Sequence, residues 1–112
     1  DLSHIPILFE SCEAALQPIA SYLVQAHMGN SVKKEGHPFY GDQHPPFGIE
    51  GGDSGAKELA VYLGTLFKIG FLGKGKRPFV GFEVKPPAGM SSALLIANAK
   101  RTLREAWGIL GR

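Results

Sequence analysis

The chain has 112 residues, of which 44% are hydrophobic and 20% charged, the composition of an ordinary globular domain with one modest core. Its formal net charge of +2 is too small to require nucleic acid or an anionic membrane as a partner. The single cysteine, Cys12, excludes an internal disulfide, and no apolar run reaches the roughly 18 residues of a membrane span. No signal peptide is visible, so we expect a cytoplasmic protein.

The first half of the chain combines short apolar segments with a long polar loop. Ser11 is a good N-cap and predicts a helix over about residues 12 to 21, although Pro18 disfavours its second half. The segment from Tyr22 to Met28 predicts a short buried strand. From Ser31 to Gly52 neither a period of 2 nor one of 3.6 appears. So long a loop in a compact domain indicates a functional segment.

The second half predicts two helices and a strand. Asp53 is a suitable N-cap for a helix over about 54 to 69, and a serine at 91 or 92 caps a last helix that runs to about residue 110. Phe79 to Val84 predicts a strand. Strands that alternate with helices favour parallel pairing. Because two parallel strands cannot be covered on both faces by themselves, we expect the chain to belong to a larger sheet.

A basic, glycine-rich loop precedes the second strand, with the sequence Gly73-Lys74-Gly75-Lys76-Arg77. It could bind a phosphate through backbone N–H groups and positive charge, or it could be a solvated turn. It is not a P-loop, because the Gly-Lys-Ser/Thr spacing before a helix is absent.

Six side chains of the metal-ligand type lie near the predicted strand ends or in the long loop: Asp1, His4, His27, Asp42, His44 and Glu83. The C-terminal ends of parallel strands share one face of an α/β barrel, where catalytic groups gather. Carboxylate and imidazole donors without a thiolate suit Mn²⁺, Mg²⁺, Co²⁺ or Zn²⁺. A glutamate inside an apolar strand, as at Glu83, needs a cation, a metal or a proton. His27 could equally be structural, and Asp42 and His44 could form a turn before Pro45.

The ordered motifs resemble one known group of enzymes. They are Asp1-Leu-Ser-His4, Ala26-His27-Met-Gly-Asn30, Gly41-Asp42-Gln-His44 and Phe82-Glu83-Val84. Together they resemble the xylose isomerase-like superfamily of TIM barrels, which includes sugar epimerases and type IV apurinic endonucleases. The resemblance implies an α/β fold in which residues 1–112 form the C-terminal part of one (β/α)8 barrel domain. It would hold about two full strands plus helices and the end of a third strand, with the N-terminal part of the barrel absent.

The resemblance also implies roles for individual residues. Asp1, His27 and Glu83 would bind a divalent metal, with Glu83 exchanging protons as well. His4 would contact the substrate and take part in catalysis. Asp42 and His44 match the Asp-x-His zinc ligands of the endonuclease branch. We also predict that Asn30 and Lys85 bind substrate.

A sugar or sugar phosphate isomerase or epimerase is therefore the expected function, with proton transfer through a metal-stabilised enediolate. The expected partners are a small sugar substrate and the missing N-terminal half of the barrel. A membrane is not expected, the sequence argues against nucleic acid, and a homo-oligomer is left open. The alternative is a zinc-dependent phosphodiesterase of the apurinic endonuclease type. A third alternative is a non-enzymatic binding module.

Overall fold

A computed structural model describes all residues of the chain, Asp1–Arg112. Four α-helices and two strands follow one another along the chain: α1 (His4–Ile7), α2 (Cys12–Leu16), β1 (Gln25–Met28), α3 (Ala56–Lys68), β2 (Phe79–Phe82) and α4 (Ser92–Leu110). A 3₁₀ segment, Gln17–Tyr22, connects α2 to β1. The two strands pair in parallel, with Gln25 opposite Phe79 and Met28 opposite Phe82.

The expectation of a portion of a (β/α)8 barrel is wrong. The two four-residue strands form a two-stranded sheet by themselves, so the chain is only weakly α/β. The expected end of a third strand is absent. Leu2 donates one backbone hydrogen bond of 3.0 Å to the His27 carbonyl, but the chain turns into α1 two residues later. A third strand would need further backbone hydrogen bonds to β1 along an extended segment, and the residues after Leu2 form none.

Proline and exposure explain why the first elements are shorter than predicted. The helix expected over residues 12 to 21 ends at Leu16, and Pro18 lies at the start of the 3₁₀ segment that follows. The strand expected from Tyr22 begins only at Gln25. Tyr22 and Val24 are 81% and 82% exposed, so this part of the run does not belong to a buried strand.

The two long helices agree with their predicted positions. Ser91 caps α4, since its hydroxyl accepts a hydrogen bond of 3.2 Å from the Leu94 N–H. The predicted cap of α3 is wrong, because Gly55 occupies the N-cap position. Asp53 instead accepts hydrogen bonds from the Lys33 N–H and the Ser31 hydroxyl. No helix combines the length and the apolar character needed to cross a membrane.

Helix α3 forms the centre of the core. Its apolar face is buried at Leu59, Leu63 and Leu66, and it packs between α4 and α2. Tyr62 on the same face is fully buried, and this burial raises the pKa of its phenol to about 12. The core also includes Ala26 and Met28 of β1, so one face of the sheet is held in place by α3 and its neighbours.

A buried amide attaches the long loop after β1 to the start of α3. Asn30 is fully buried, and its Oδ1 accepts hydrogen bonds of 2.8 Å from the N–H groups of both Ser31 and Ser54. Its Nδ2 donates to the Pro46 carbonyl at 2.9 Å. One side chain thus satisfies three backbone groups from separate parts of the loop.

Replacing Asn30 with alanine should lower the free energy of unfolding by about 3 kcal/mol, because buried backbone groups left without partners cost about 1–3 kcal/mol each. Urea denaturation measures the change. The matched control is Asn98→Ala, which removes one hydrogen bond of 3.4 Å to the Phe47 carbonyl and should cost less than about 1 kcal/mol. Equal losses in the two variants would show that Asn30 has no special role in holding the loop.

Candidate metal centre

The carboxylate of Asp1 has one oxygen without a partner. Its Oδ1 accepts a hydrogen bond of 2.9 Å from the Ser3 N–H, which sets the direction of the carboxylate. Its Oδ2 is buried and has no hydrogen-bond partner. Nδ1 of His27 lies 4.0 Å from this oxygen, beyond hydrogen-bond distance. A buried, unpaired carboxylate oxygen is costly, so this position calls for a cation.

The sheet places His27 and Glu83 beside Asp1. His27 belongs to β1, and Glu83 directly follows β2, where its N–H donates to the Met28 carbonyl at 2.9 Å and continues the ladder. Oε2 of Glu83 lies 2.9 Å from Nδ1 of His27. Asp1, His27 and Glu83 each offer one ligand atom within 4.8 Å of the others. Parallel strands of equal length bring these distant residues to the same end of the sheet.

The long loop adds a second group of ligands. Nε2 of His44 lies 2.6 Å from Oδ1 of Asp42, and Nε2 of His4 lies 3.5 Å from the same oxygen. His4 and His44 also form a three-residue ligand group with Asp1, with the same 4.8 Å limit. The two groups are therefore neighbours that share Asp1. Glu83 links them further, since its Oε1 is 3.7 Å from His44.

His44 is held in an unusual conformation. Its φ is +49°, a left-handed value that costs a non-glycine residue roughly 1–2 kcal/mol. Its carbonyl accepts a hydrogen bond of 2.8 Å from the Lys85 N–H, which attaches the loop to the segment after β2. The side chain of His44 is only 3% exposed. Its Nδ1 atom is buried and has no hydrogen-bond partner. Such strain is concentrated at functional sites.

The charge of the cluster is not balanced by a lysine or an arginine. The only basic side-chain nitrogens within 4.0 Å of the Asp1, Asp42 and Glu83 carboxylates belong to histidines. The two ion pairs of the molecule that involve Lys or Arg lie elsewhere, at Lys68 and Arg101. Asp1 and Glu83 offer oxygens within 4.8 Å of each other, and two carboxylates at this separation repel one another unless a proton or a cation is shared between them.

Two of the predicted substrate-binding residues do not join this cluster. Asn30 is fully buried, and its amide is bonded to loop backbone, so its observed role is structural. Lys85 is exposed and forms no ion pair; only its backbone N–H contributes, through the bond to His44. His4 does join, with a side chain that is 49% exposed.

Two further residues support the cluster and had no assigned role. A Cβ at Gly29 would lie 2.7 Å from the Glu83 carbonyl oxygen and 3.3 Å from Oδ1 of Asp1, so only glycine lets these segments approach. The amide nitrogen of Gln25 lies 3.0 Å from Nε2 of His27 and orients the ring. Gln25 lies two residues before His27 on β1, so the two side chains point to the same face of the strand. This spacing could have indicated from the sequence that Gln25 contacts His27.

The largest cavity of the molecule is separate from this cluster. It has a volume of about 530 Å³ and is lined by α1, by Cys12 of α2 and by the start of α3. Burial raises the pKa of the Cys12 thiol, so the thiol stays protonated at neutral pH. Nothing here makes Cys12 a nucleophile, which agrees with a small, packed side chain.

The donor set fits a divalent metal ion. Oxygen and imidazole nitrogen bind such ions at about 2.0–2.2 Å, so ligand atoms around one ion lie about 3–4 Å apart. The ligand atoms of each group lie within 4.8 Å of one another, so side-chain shifts of less than about 1 Å would bring them onto an ion. The cluster is also partly open to solvent, since the side chains of Glu83 and Asp42 are 42% and 67% exposed.

No protein-family model, no curated protein and no solved structure matches this chain. The resemblance to the xylose isomerase-like superfamily therefore stays a prediction.

Replacing Gly29 with alanine should weaken metal binding at least tenfold, because the added Cβ pushes the Glu83 backbone away from Asp1. Calorimetric titration with Mn²⁺ or Zn²⁺ measures the change, and thermal unfolding checks that the variant is folded. Gly108→Ala is the matched control, since a Cβ there meets nothing within 4 Å. If Gly29→Ala folds and binds the ion as tightly as this control does, the close approach is irrelevant to the site.

Proposed function

We propose that this cluster binds a divalent metal ion and serves an isomerase or epimerase that acts on a sugar or sugar phosphate. The observation that carries the proposal is the buried, unpartnered Oδ2 of Asp1 beside Glu83 and His27, with no Lys or Arg to balance the charge. Asp1, His27 and Glu83 would hold the ion. The donor set suits Mn²⁺, Mg²⁺, Co²⁺ or Zn²⁺.

A bound divalent ion supplies Lewis-acid stabilisation of the negative charge that develops on a substrate oxygen. The remaining chemistry belongs to the side chains. Glu83 is the proposed proton-transfer group, because its carboxylate is 42% exposed and lies at the open side of the cluster. His4 would donate or accept a hydrogen bond at a substrate hydroxyl, since its ring is half exposed on the same rim.

Proton transfer next to a carbonyl exchanges hydrogen with solvent, which provides a direct test. In D₂O with Mn²⁺, Mg²⁺ or Co²⁺, the protein should introduce deuterium beside the carbonyl of a ketose or aldose, as followed by NMR. Glu83→Gln should reduce this exchange by at least 10²-fold, the lower range for a lost acid–base group. The matched control is Glu35→Gln, an exposed glutamate without an ion pair or a side-chain hydrogen bond, which should exchange at the normal rate.

Metal titration of the same variants separates binding from chemistry. Asp1→Asn and His27→Ala should both lose affinity for the ion, because each removes one ligand of the group that contains Glu83. Full exchange activity in Glu83→Gln would contradict the role of Glu83. Failure of the unaltered protein to bind any of the four ions would contradict the metal site itself.

A zinc-dependent phosphodiesterase of the apurinic endonuclease type is the second candidate. The observation in its favour is the second ligand group, in which His4, His44 and Asp42 lie directly beside the first. Neighbouring ions that share a carboxylate are typical of enzymes that cleave phosphate esters. Binding of two or more zinc ions together with cleavage of abasic DNA would favour this candidate, whereas a single Mn²⁺ or Mg²⁺ with deuterium exchange would favour the isomerase.

A further inference from the structure

An excess of positive charge gathers at the end of the sheet opposite the carboxylate cluster. Lys74, Lys76 and Arg77 are exposed in the loop before β2, and none of them pairs with a carboxylate. The sequence contains no acidic residue between Glu58 and Glu83. We call residues 73–77 the basic loop.

The basic loop borders a small cavity that has no acidic residue in its wall. This cavity has a volume of about 270 Å³, and Lys76 and Arg77 provide its charged side. The rest of the wall is mostly apolar and includes Leu23, Ile69, Phe71 and Pro78. Ligand pockets combine an apolar wall with a few polar groups in this way, and the volume is just below the usual range of about 300–1,000 Å³.

The backbone of the basic loop adds hydrogen-bond donors. Lys76 donates to the Gly73 carbonyl at 3.1 Å and closes a turn, in which Gly73 and Gly75 adopt φ values of 154° and 79°. The N–H groups of Lys74, Gly75 and Arg77 have no acceptor within the protein. Successive free N–H groups in a glycine-containing turn form a concave site for anions.

The end of α3 also borders the cavity, and two of its last carbonyl groups are bonded within the chain. The N–H groups of Phe71 and Leu72 bond to the Leu66 carbonyl at 3.0 and 3.1 Å, and the Gly70 N–H bonds to the Phe67 carbonyl at 3.1 Å. These bonds satisfy the Leu66 and Phe67 carbonyl oxygens near the end of the helix. The charged side chains at the cavity are Lys76 and Arg77.

The strand geometry separates this cavity from the metal ligands. Arg77 precedes β2 and Glu83 follows it, so six residues of nearly extended chain, or about 20 Å, lie between them. A phosphate at the basic loop could not belong to a substrate whose reacting carbon is held at Glu83.

We propose that the basic loop and its cavity bind a small phosphate monoester, whose phosphate contacts Lys76, Arg77 and the free N–H groups while its organic part packs on the apolar wall. This site is independent of the metal centre and does not rest on the reaction proposed above. The small volume of the cavity and its apolar wall favour a compact ligand over an extended polyanion.

Titrations of the ¹⁵N-labelled chain with inorganic phosphate and with phenyl phosphate test the proposal, using backbone amide shifts. Both should give saturable shifts in residues 70–78 and at Leu23, with phenyl phosphate binding at least threefold tighter because its ring buries apolar surface. The double variant Lys76→Gln/Arg77→Gln should weaken binding at least tenfold. The matched control is Lys100→Gln/Arg101→Gln, which removes the same charge from the exposed side of α4 and should leave binding unchanged.

Three results would overturn the proposal: no saturable shift, shifts spread equally over all lysine-bearing surfaces, or equal losses in the two double variants. Tighter binding of a DNA duplex than of phenyl phosphate at these residues would also overturn it in favour of a nucleic-acid contact. Because the affected amides lie far from His27 and Glu83, the outcome is read separately from that of the metal titrations.

Discussion

The carboxylates of Asp1 and Glu83 offer ligand oxygens within 4.8 Å of each other at one end of the sheet, near the more exposed Asp42, and none of the three pairs with a lysine or an arginine. Two like charges about 4 Å apart repel by roughly 4 kcal/mol at an effective dielectric constant of 20. A divalent cation would cancel most of this negative charge, and the unpartnered Oδ2 of Asp1 marks where the need is greatest.

The loop that delivers Asp42 and His44 is anchored rather than free. Asn30 and Asp53 attach its two ends to each other, since the Asp53 N–H bonds to the Ser31 carbonyl at 2.8 Å. His37 closes its tip, with Nδ1 accepting from the Phe39 N–H at 3.0 Å and Nε2 lying 2.9 Å from the Glu50 carbonyl. A loop stabilised in this way can hold His44 in a left-handed conformation that an isolated peptide would avoid.

The two ends of the sheet carry opposite charge. Glu83 follows β2 and lies beside Asp1, whereas Lys76 and Arg77 precede β2. Because the strands are parallel, the residues before each strand share one end and those after it share the other, and a cation and an anion can be bound without competing. Glycines support both ends of the sheet. Gly29 lets the Glu83 backbone and the Asp1 side chain approach each other at the metal-ligand cluster. Gly73 and Gly75 allow the turn in the basic loop.

Residue type and spacing alone were sufficient to predict the ligand-type residues and the two long helices. Carboxylates and imidazoles beside short apolar runs are recognisable in any fold, and the apolar period of α3 and the serine cap of α4 are local features. Only the tertiary structure decided that the sheet stops at two strands, that Asn30 is a buried loop anchor, and that Gly29 lets Asp1 approach Glu83. These facts depend on contacts between residues far apart in the chain, which a local pattern does not encode, because pairing, burial and close approach are properties of the assembled molecule.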